Sequence, residues 1–395
     1  MAGVIHAFGE QLMKHYRLHK FMFVILRRTV VPFIQHTMRY KYDKKKGPDV
    51  PTLIISNHNT NLDPVLVALS FSRHMYFLTS EHALRKGFKS KLLRFFFAPI
   101  PINKSRIDVT AIKDILRRLK AGASVCFFAE GDRSFNGITS PISSSTAKLV
   151  KTSGADLITF RLEGGYFTAP RWARRQRRGK MAGRQINKYS GAELKSMTIE
   201  QINSLIERDI YEDAYERQKA NQVRFQGKNL AESIETVLYL CPRCEKIGTI
   251  RSEGEHFFCG CGLDVEYCDT GFLRGNGLPF STVKEWDLWQ TEKLDELIRN
   301  AGDQPICVDE EQTLLMVRSA VESTPVGQGT MRIGRNFFHC AGLEFPLEQI
   351  TRISVTGQMT LIFALRDGVS YEVYSKTPRS ALKYREIFRI LKERR

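Results

Sequence analysis

His58 and Asp63, five residues apart in SNHNTNLDPVLVA (Ser56–Ala68), are the pair on which chemistry can be built. On one continuous helix their side chains would diverge by about 140°, but in a turn that runs into a helix start they can meet. A carboxylate on one imidazole nitrogen fixes the tautomer and leaves the other nitrogen to take a proton from a substrate hydroxyl. Asp63 also precedes Pro64, and Asp at an N-cap with Pro at the first helical position is a helix start that needs no catalysis. That reading leaves His58 unexplained. It follows the apolar run TLIIS, in the kind of turn where an α/β sheet places its ligands. No G-x-S-x-G elbow and no cysteine nucleophile stand near this turn, which favours direct transfer over a covalent intermediate.

Two further turns bring charge. FFAEGDRSFNG (Phe127–Gly137) sets Glu130, Gly131 and Arg133 at a predicted strand end, and APIPINKSRID (Ala98–Asp108) sets Lys104 and Arg106 after another. A base, a carboxylate and several cations at three strand ends suit a substrate carrying both a hydroxyl and a phosphate. Taken singly, Glu130 and Arg133 read as a surface ion pair.

The elements that must position these turns are short apolar runs alternating with helical stretches. TLIIS, MYFLTS, SVCFFAE and DLITFRL read as strands, and PVLVALSFS and VTAIKDILRRLKAG as helices, the second closed by Gly122. This alternation predicts an α/β sheet with helices on its faces. The pattern turns helical and charged from Ala192 to Gln226. From Gln312 to Lys376 it becomes short strands and turns, and SALKYREIFRILKERR closes the chain as a helix.

Together the blocks resemble the glycerolipid acyltransferase family, which includes 1-acylglycerol-3-phosphate acyltransferases. NHNTNLD matches its N-H-x4-D block, FFAEGDRS its F-P-E-G-T-R-S block and IPINKSR its second block, in family order. Ala129 replaces the usual proline, Asp132 the usual threonine, Lys104 the usual arginine, and Thr159 a proline of the fourth block. The resemblance implies transfer of a fatty acyl group, from a thioester of coenzyme A or acyl carrier protein, to the free hydroxyl of a lysophospholipid. His58 would be the general base and Asp63 its orienter. Lys104, Arg106, Glu130, Gly131 and Arg133 would hold the glycerol phosphate, and no catalytic metal is needed.

A sharper metal signal lies further on. Cys241 and Cys244 form C-P-x-C, and Cys259 and Cys261 form C-G-C-G, with glycines permitting the tight turns of two knuckles. Four thiolates without histidine predict a closed structural zinc site, in a chain whose cysteines suit a reducing compartment. Zinc ribbons often bind nucleic acid, and a basic nucleic-acid-binding protein is the rival class. Between Cys241 and Asp269, however, three cations (Arg243, Lys246, Arg251) face six carboxylates, the wrong balance for tracking phosphates. A third reading keeps the fold as a non-catalytic binder of anionic lipid.

The formal charge of +18 over 395 residues, with 42% hydrophobic residues, describes a folded chain seeking an anionic partner: a membrane surface, an acyl carrier protein or a phosphorylated substrate. Ile5, Phe8, Leu12 and Tyr16 recur at helical spacing beside Lys14, His15, Arg17 and Lys20, which suits an interfacial helix and packing on the next domain equally. Cations from Arg171 to Arg184 surround Trp172, a run that reads as a headgroup or carrier-protein contact or as a solvated loop. No run reaches the roughly 18 apolar residues of a spanning helix, and no secretory signal opens the chain. A cytoplasmic enzyme peripherally associated with the membrane is expected. The expected organisation is an amphipathic helical segment at 1–48, an α/β acyltransferase domain of mixed sheet flanked by helices with a helical tail at 49–235, a zinc ribbon at 236–275, and a helix plus small β-rich domain at 276–395 that resembles a pleckstrin-homology-like arrangement.

Overall fold

The computed structural model describes residues 2–43, 49–80, 97–102, 109–318 and 322–394, with the backbone alone at 2–15 and 26. Lys104 and Arg106, and the side chains of Ile5, Phe8 and Leu12, lie outside the described residues. The chain forms two units. The first holds the described residues up to Pro170 together with Arg177–Val223, and the second holds Arg171–Gln176 and the chain from Arg224.

In the first unit the strands are β1 (Tyr40–Tyr42), β2 (Thr52–Ser56), β3 (Met75–Ser80), β4 (Ile100–Ile102), β5 (Ser124–Phe128), β6 (Asp156–Glu163) and β7 (Met181–Tyr189). They form one sheet in the order β1-β7-β6-β2-β5-β3-β4. Pairing is parallel throughout except between β6 and β7. The helices are α1 (Ala2–Met38), α2 (Asp63–Ser70), α3 (Val109–Lys120), α4 (Ser144–Ser153), α5 (Gly165–Thr168), α6 (Gly191–Ser196), α7 (Ile199–Ile210) and α8 (Ala214–Asn221). Central β2 is buried at every position because helices cover both faces, so it reads as an unbroken apolar run rather than an alternating one. Leu53 and Ile55 point into a core with Ile115 of α3, Val150 of α4 and Ile206 of α7. Ile54, one residue out of phase, joins Leu66 of α2 and Ile34 and Met38 of α1 on the other face. A one-residue slip of β2 would exchange the two cores.

The structure departs from the sequence reading in three places here. The charged run after α1 contains edge strand β1, where Tyr40 is buried and Lys41 exposed. The end of the basic run enters β7. Asp63 is not an N-cap: Leu62 occupies that position without a side-chain cap, and Asp63 opens the helix itself.

The second unit begins with a four-stranded antiparallel sheet, β11-β10-β9-β8, made of β8 (Ile250–Glu253), β9 (His256–Cys259), β10 (Leu263–Tyr267) and β11 (Leu273–Arg274). After α9 (Val283–Asn300) come seven antiparallel strands: β12 (Cys307–Val317), β13 (Ser323–Ile333), β14 (Phe337–Cys340), β15 (Leu343–Pro346), β16 (Ile350–Thr356), β17 (Thr360–Leu365) and β18 (Ser370–Ser375). The helix α10 (Leu382–Glu393) completes the unit, and Phe338, Phe363 and Tyr384 meet in its core. Trp172 is the clearest correction to the sequence reading. It is 0% exposed, donates its indole N–H to the Leu230 carbonyl at 3.2 Å and packs edge-on to Tyr267, so it is a core residue and not a surface anchor. Arg171 and Arg177 of the same run are buried too.

Candidate active site and metal centre

The turn between β2 and α2 brings His58 and Asp63 together, with Nδ1 of His58 2.9 Å from Oδ2 of Asp63. Asp63 is fully buried, yet its carboxylate is completely paired. Oδ2 also accepts the amides of Asn59 (2.6 Å) and Thr60 (2.8 Å), and Oδ1 accepts the Thr60 hydroxyl (2.6 Å). A carboxylate so used can only accept, so the proton of the His58–Asp63 bond belongs to Nδ1. Nε2 therefore presents a lone pair. The ring stacks on Phe128 at 4.4 Å between centroids and keeps 21% of its side chain exposed, so it is oriented and still reachable.

The backbone of His58 is held from the loop after β5. Its N–H donates to Oε1 of Glu130 at 2.6 Å, and its carbonyl accepts the Ser134 amide at 3.0 Å. The other oxygen of Glu130 accepts the Ser140 amide at 2.7 Å. Burial pushes the Glu130 carboxyl up to about 8 against the pull of these two amides, with Asp63 and Glu212 raising it further. Gly131 turns the loop at φ +70°, a backbone conformation that L side chains rarely adopt, and Arg133 follows, half-buried, two residues on. The structure thus groups His58, Asp63, Glu130, Gly131 and Arg133 at the ends of adjacent strands β2 and β5.

Sequence reasoning missed the clamp on the other side of the turn. Glu212, buried between α7 and α8, places Oε2 3.2 Å from Nδ2 of Asn57 and 3.3 Å from Nδ2 of Asn59, the two neighbours of His58. Its Oε1 accepts the Gly164 amide (3.2 Å) and Nε of Arg217 (2.9 Å). Burial raises Glu212 to about 7, with Arg217 opposing. Asn57 meanwhile splices into β6, exchanging hydrogen bonds with both backbone groups of Leu162 (2.8 and 2.7 Å). Gly165 completes the seat, since a Cβ there would lie 2.8 Å from Cβ of Asn59. A signal for Asn57 and Asn59 was present in NHNTN. None marked Glu212, one acid among many in a charged helical stretch.

The four cysteines of the second unit also converge. Their Sγ atoms all lie within 4.8 Å of one another, with Cys241–Cys261 at 3.6 Å and Cys244–Cys259 at 3.8 Å. A tetrahedron with Zn–S bonds of about 2.3 Å has edges of about 3.8 Å, so spacing and donor type both fit zinc. The first knuckle is closed by the Glu245 amide on the Cys241 carbonyl, the second by the Gly262 amide on Cys259. The C-x-C spacing, one residue shorter than in the usual ribbon, is accommodated by Gly262 at φ +91°.

Residues 37–163 match the family model described as Acyltransferase. Among solved structures the chain is similar to the 1-acyl-sn-glycerophosphate acyltransferase PlsC from Thermotoga maritima, at 15% identity over 55% of this chain and 96% of that one, with a TM-score of 0.39. No curated protein matches it. Among the described residues, no helix is long and apolar enough to cross a membrane.

Proposed function

We propose that this chain, whose residues 37–163 match the Acyltransferase family model, moves a fatty acyl group from a thioester of coenzyme A or acyl carrier protein to the free hydroxyl of a lysophospholipid such as 1-acylglycerol-3-phosphate. The observation that carries the reading is the 2.9 Å contact of His58 Nδ1 with an Asp63 carboxylate already accepting two amides and a hydroxyl, which assigns the proton to Nδ1 and leaves Nε2 open. Nε2 takes the proton of the acceptor hydroxyl as its oxygen attacks the thioester carbonyl. The tetrahedral intermediate then expels the thiolate, which recovers that proton from the imidazolium. Asp63 stabilises the imidazolium between the two steps. In this reading Arg133, with Lys104 and Arg106, holds the phosphate. Each Glu130 oxygen, already accepting one amide, has a second lone pair for a glycerol hydroxyl.

The acceptor lies in a membrane, and α1 supplies the means of reaching it. One side of this helix packs inward through Tyr16, Phe23 and Ile34, while Phe21 (63% exposed) and Phe33 (68% exposed) project outward with Val24 and Ile25, near the exposed cations Lys20 and Arg28. Exposed apolar side chains interspersed with cations suit an anionic membrane surface, and in this reading the enzyme attaches there peripherally, from the cytoplasmic side. Phe21→Ser/Phe33→Ser should co-sediment less with anionic vesicles; undiminished sedimentation removes α1 as the contact. In the second unit, Cys241, Cys244, Cys259 and Cys261 would hold zinc as a structural cross-link.

The test is to incubate the purified protein and His58→Ala with lysophosphatidate and either thioester, following the diacyl product. Product from the wild type, lost in a variant that still folds, supports the base and identifies the donor. Absence of product with both donors, despite vesicle binding, points to a different acceptor or to a lipid-binding protein.

A further inference from the structure

Asn59 serves two carboxylates at once. Its backbone N–H donates to Oδ2 of Asp63 at 2.6 Å, while its side-chain Nδ2 donates to Oε2 of Glu212 at 3.3 Å. Oδ2 of Asp63 is also the atom that faces Nδ1 of His58. Movement of Glu212 thus reaches the oxygen that orients the ring through a single residue. Asn59, Asp63 and Glu212 are all buried, so none of these bonds competes with bulk water. Glu212 lies outside residues 37–163, the segment that the family model matches.

The donors around position 212 call for a carboxylate there. Each Glu212 oxygen meets two of them, Oε2 the side-chain amides of Asn57 and Asn59, and Oε1 the Gly164 N–H and Nε of Arg217. An NH₂ in place of either oxygen would point at two donors. Asn57 cannot turn to accommodate it, because its Nδ2 and Oδ1 are paired with the carbonyl and amide of Leu162. Turned one way, the NH₂ meets Asn59 directly. Turned the other way, it drives off the amide of Gly164, whose neighbour Gly165 packs against Asn59 without room for a Cβ. A buried donor facing another donor is costly enough to move its residue, and both orientations lead to Asn59.

We propose that Glu212 is the positioning residue of the general base, acting through Asn59 to hold Oδ2 of Asp63 against Nδ1 of His58. The catalytic consequence rests on the acyl-transfer reading, whereas the orientation of the ring is a property of the free protein. Because Glu212 works through the turn rather than on the substrate, its loss slows the chemical step and leaves acceptor binding in place.

The test reads the His58 ring in the free full-length protein by nitrogen NMR at pH 8, above the value of about 7 to which burial raises Glu212, alongside kcat and KM for lysophosphatidate. The wild-type ring should show one tautomer, with its proton on Nδ1. In Glu212→Gln the two ring-nitrogen shifts should move toward each other as the tautomers mix, and kcat should fall about 10- to 100-fold with KM changed by less than about threefold. Asn59→Ala cuts the same connection and should move the shifts in the same direction, which keeps the inference refutable even where Glu212→Gln fails to fold. Ile115→Ala, a cavity in the core beside α3, should lower thermal stability and leave the ring shifts in place. Unchanged ring shifts in a folded Glu212→Gln or in Asn59→Ala, or equal movement in Ile115→Ala, would overturn the inference. Absence of product from the wild type would strike the acyl-transfer reading alone, with the ring spectra still deciding the positioning role.

Discussion

Asp63→Asn isolates the charge of the orienting residue from its geometry. The amide is isosteric, and its oxygen can still accept from Nδ1 of His58 and from the Asn59 and Thr60 amides, all of which now converge on Oδ2. Its NH₂ can donate to the Thr60 hydroxyl, which currently donates to Oδ1 and can rotate to accept. The turn should therefore survive, at about 1 kcal/mol for each charge-assisted bond made neutral. What disappears is the attraction between carboxylate and imidazolium. Taking their charge centres as about 4 Å apart and an effective dielectric of about 20, that attraction is worth about 4 kcal/mol. Since it exists only once His58 has taken the proton, it belongs to the transition state, and kcat should fall about 10³-fold with KM little changed. The assay is thioester cleavage at saturating lysophosphatidate, with folding checked by circular dichroism. In the double variant with His58→Ala the loss should not deepen, because Asp63 acts through His58. A folded Asp63→Asn enzyme losing less than about tenfold, or a double variant far below His58→Ala alone, would refute the reasoning.

Other outcomes follow from neighbouring features. Because Glu130 is raised to about 8 in the folded protein, its stabilising contribution is full below an unfolded value of about 4.5 and is lost as pH rises through about 8. Thermal unfolding from about pH 5 to 9 should consequently favour Glu130→Gln increasingly over wild type; parallel profiles would show that Glu130 is not buried as described. Gly165→Ala forces a Cβ to within 2.8 Å of Asn59 and should cost about 1–3 kcal/mol in denaturant unfolding, with activity falling too, whereas an unchanged midpoint would mean the α5 seat is loose. Dialysis against a strong chelator, or Cys244→Ser, should remove one equivalent of zinc and unfold the ribbon, since such sites contribute on the order of 10 kcal/mol or more to folding. Metal analysis finding none in the native protein contradicts the metal centre.

The parts of the site that were legible in the sequence are those whose partners are close in the chain. His58 and Asp63 are five residues apart, and the knuckle cysteines pair at spacings of two and three. Glu212 stands 155 residues beyond Asn57, and only the parallel pairing of β2 with β6 and the return of α7 bring it back to the turn. Edge strand β1 escaped notice because three residues are too few to establish an alternating period, and Lys41 within it reads as surface. Trp172 was misjudged for a related reason. Local charge density argued exposure, while burial was decided by Leu230 and Tyr267, which no window around position 172 contains. Asp63 shows the reverse case, a local motif read correctly as a helix start but assigned the wrong cap, because its carboxylate satisfies amides behind it rather than ahead.

The excursion of residues 171–176 into the second unit also sets a timetable for synthesis. Strand β7, which completes the first sheet between β1 and β6, is made only after Trp172 has already emerged. Leu230, which accepts the indole N–H, comes 58 residues later. At roughly 5–20 residues per second, that leaves the largest apolar side chain of the segment uncovered for about 3–12 seconds. Gln358, whose amide binds the Trp172 carbonyl, follows 186 residues behind it. A ribosome stalled between these points would display a first unit with its sheet in place and an unsealed tryptophan loop, a species that chaperones could recognise and that a fragment ending at Val223 would display permanently.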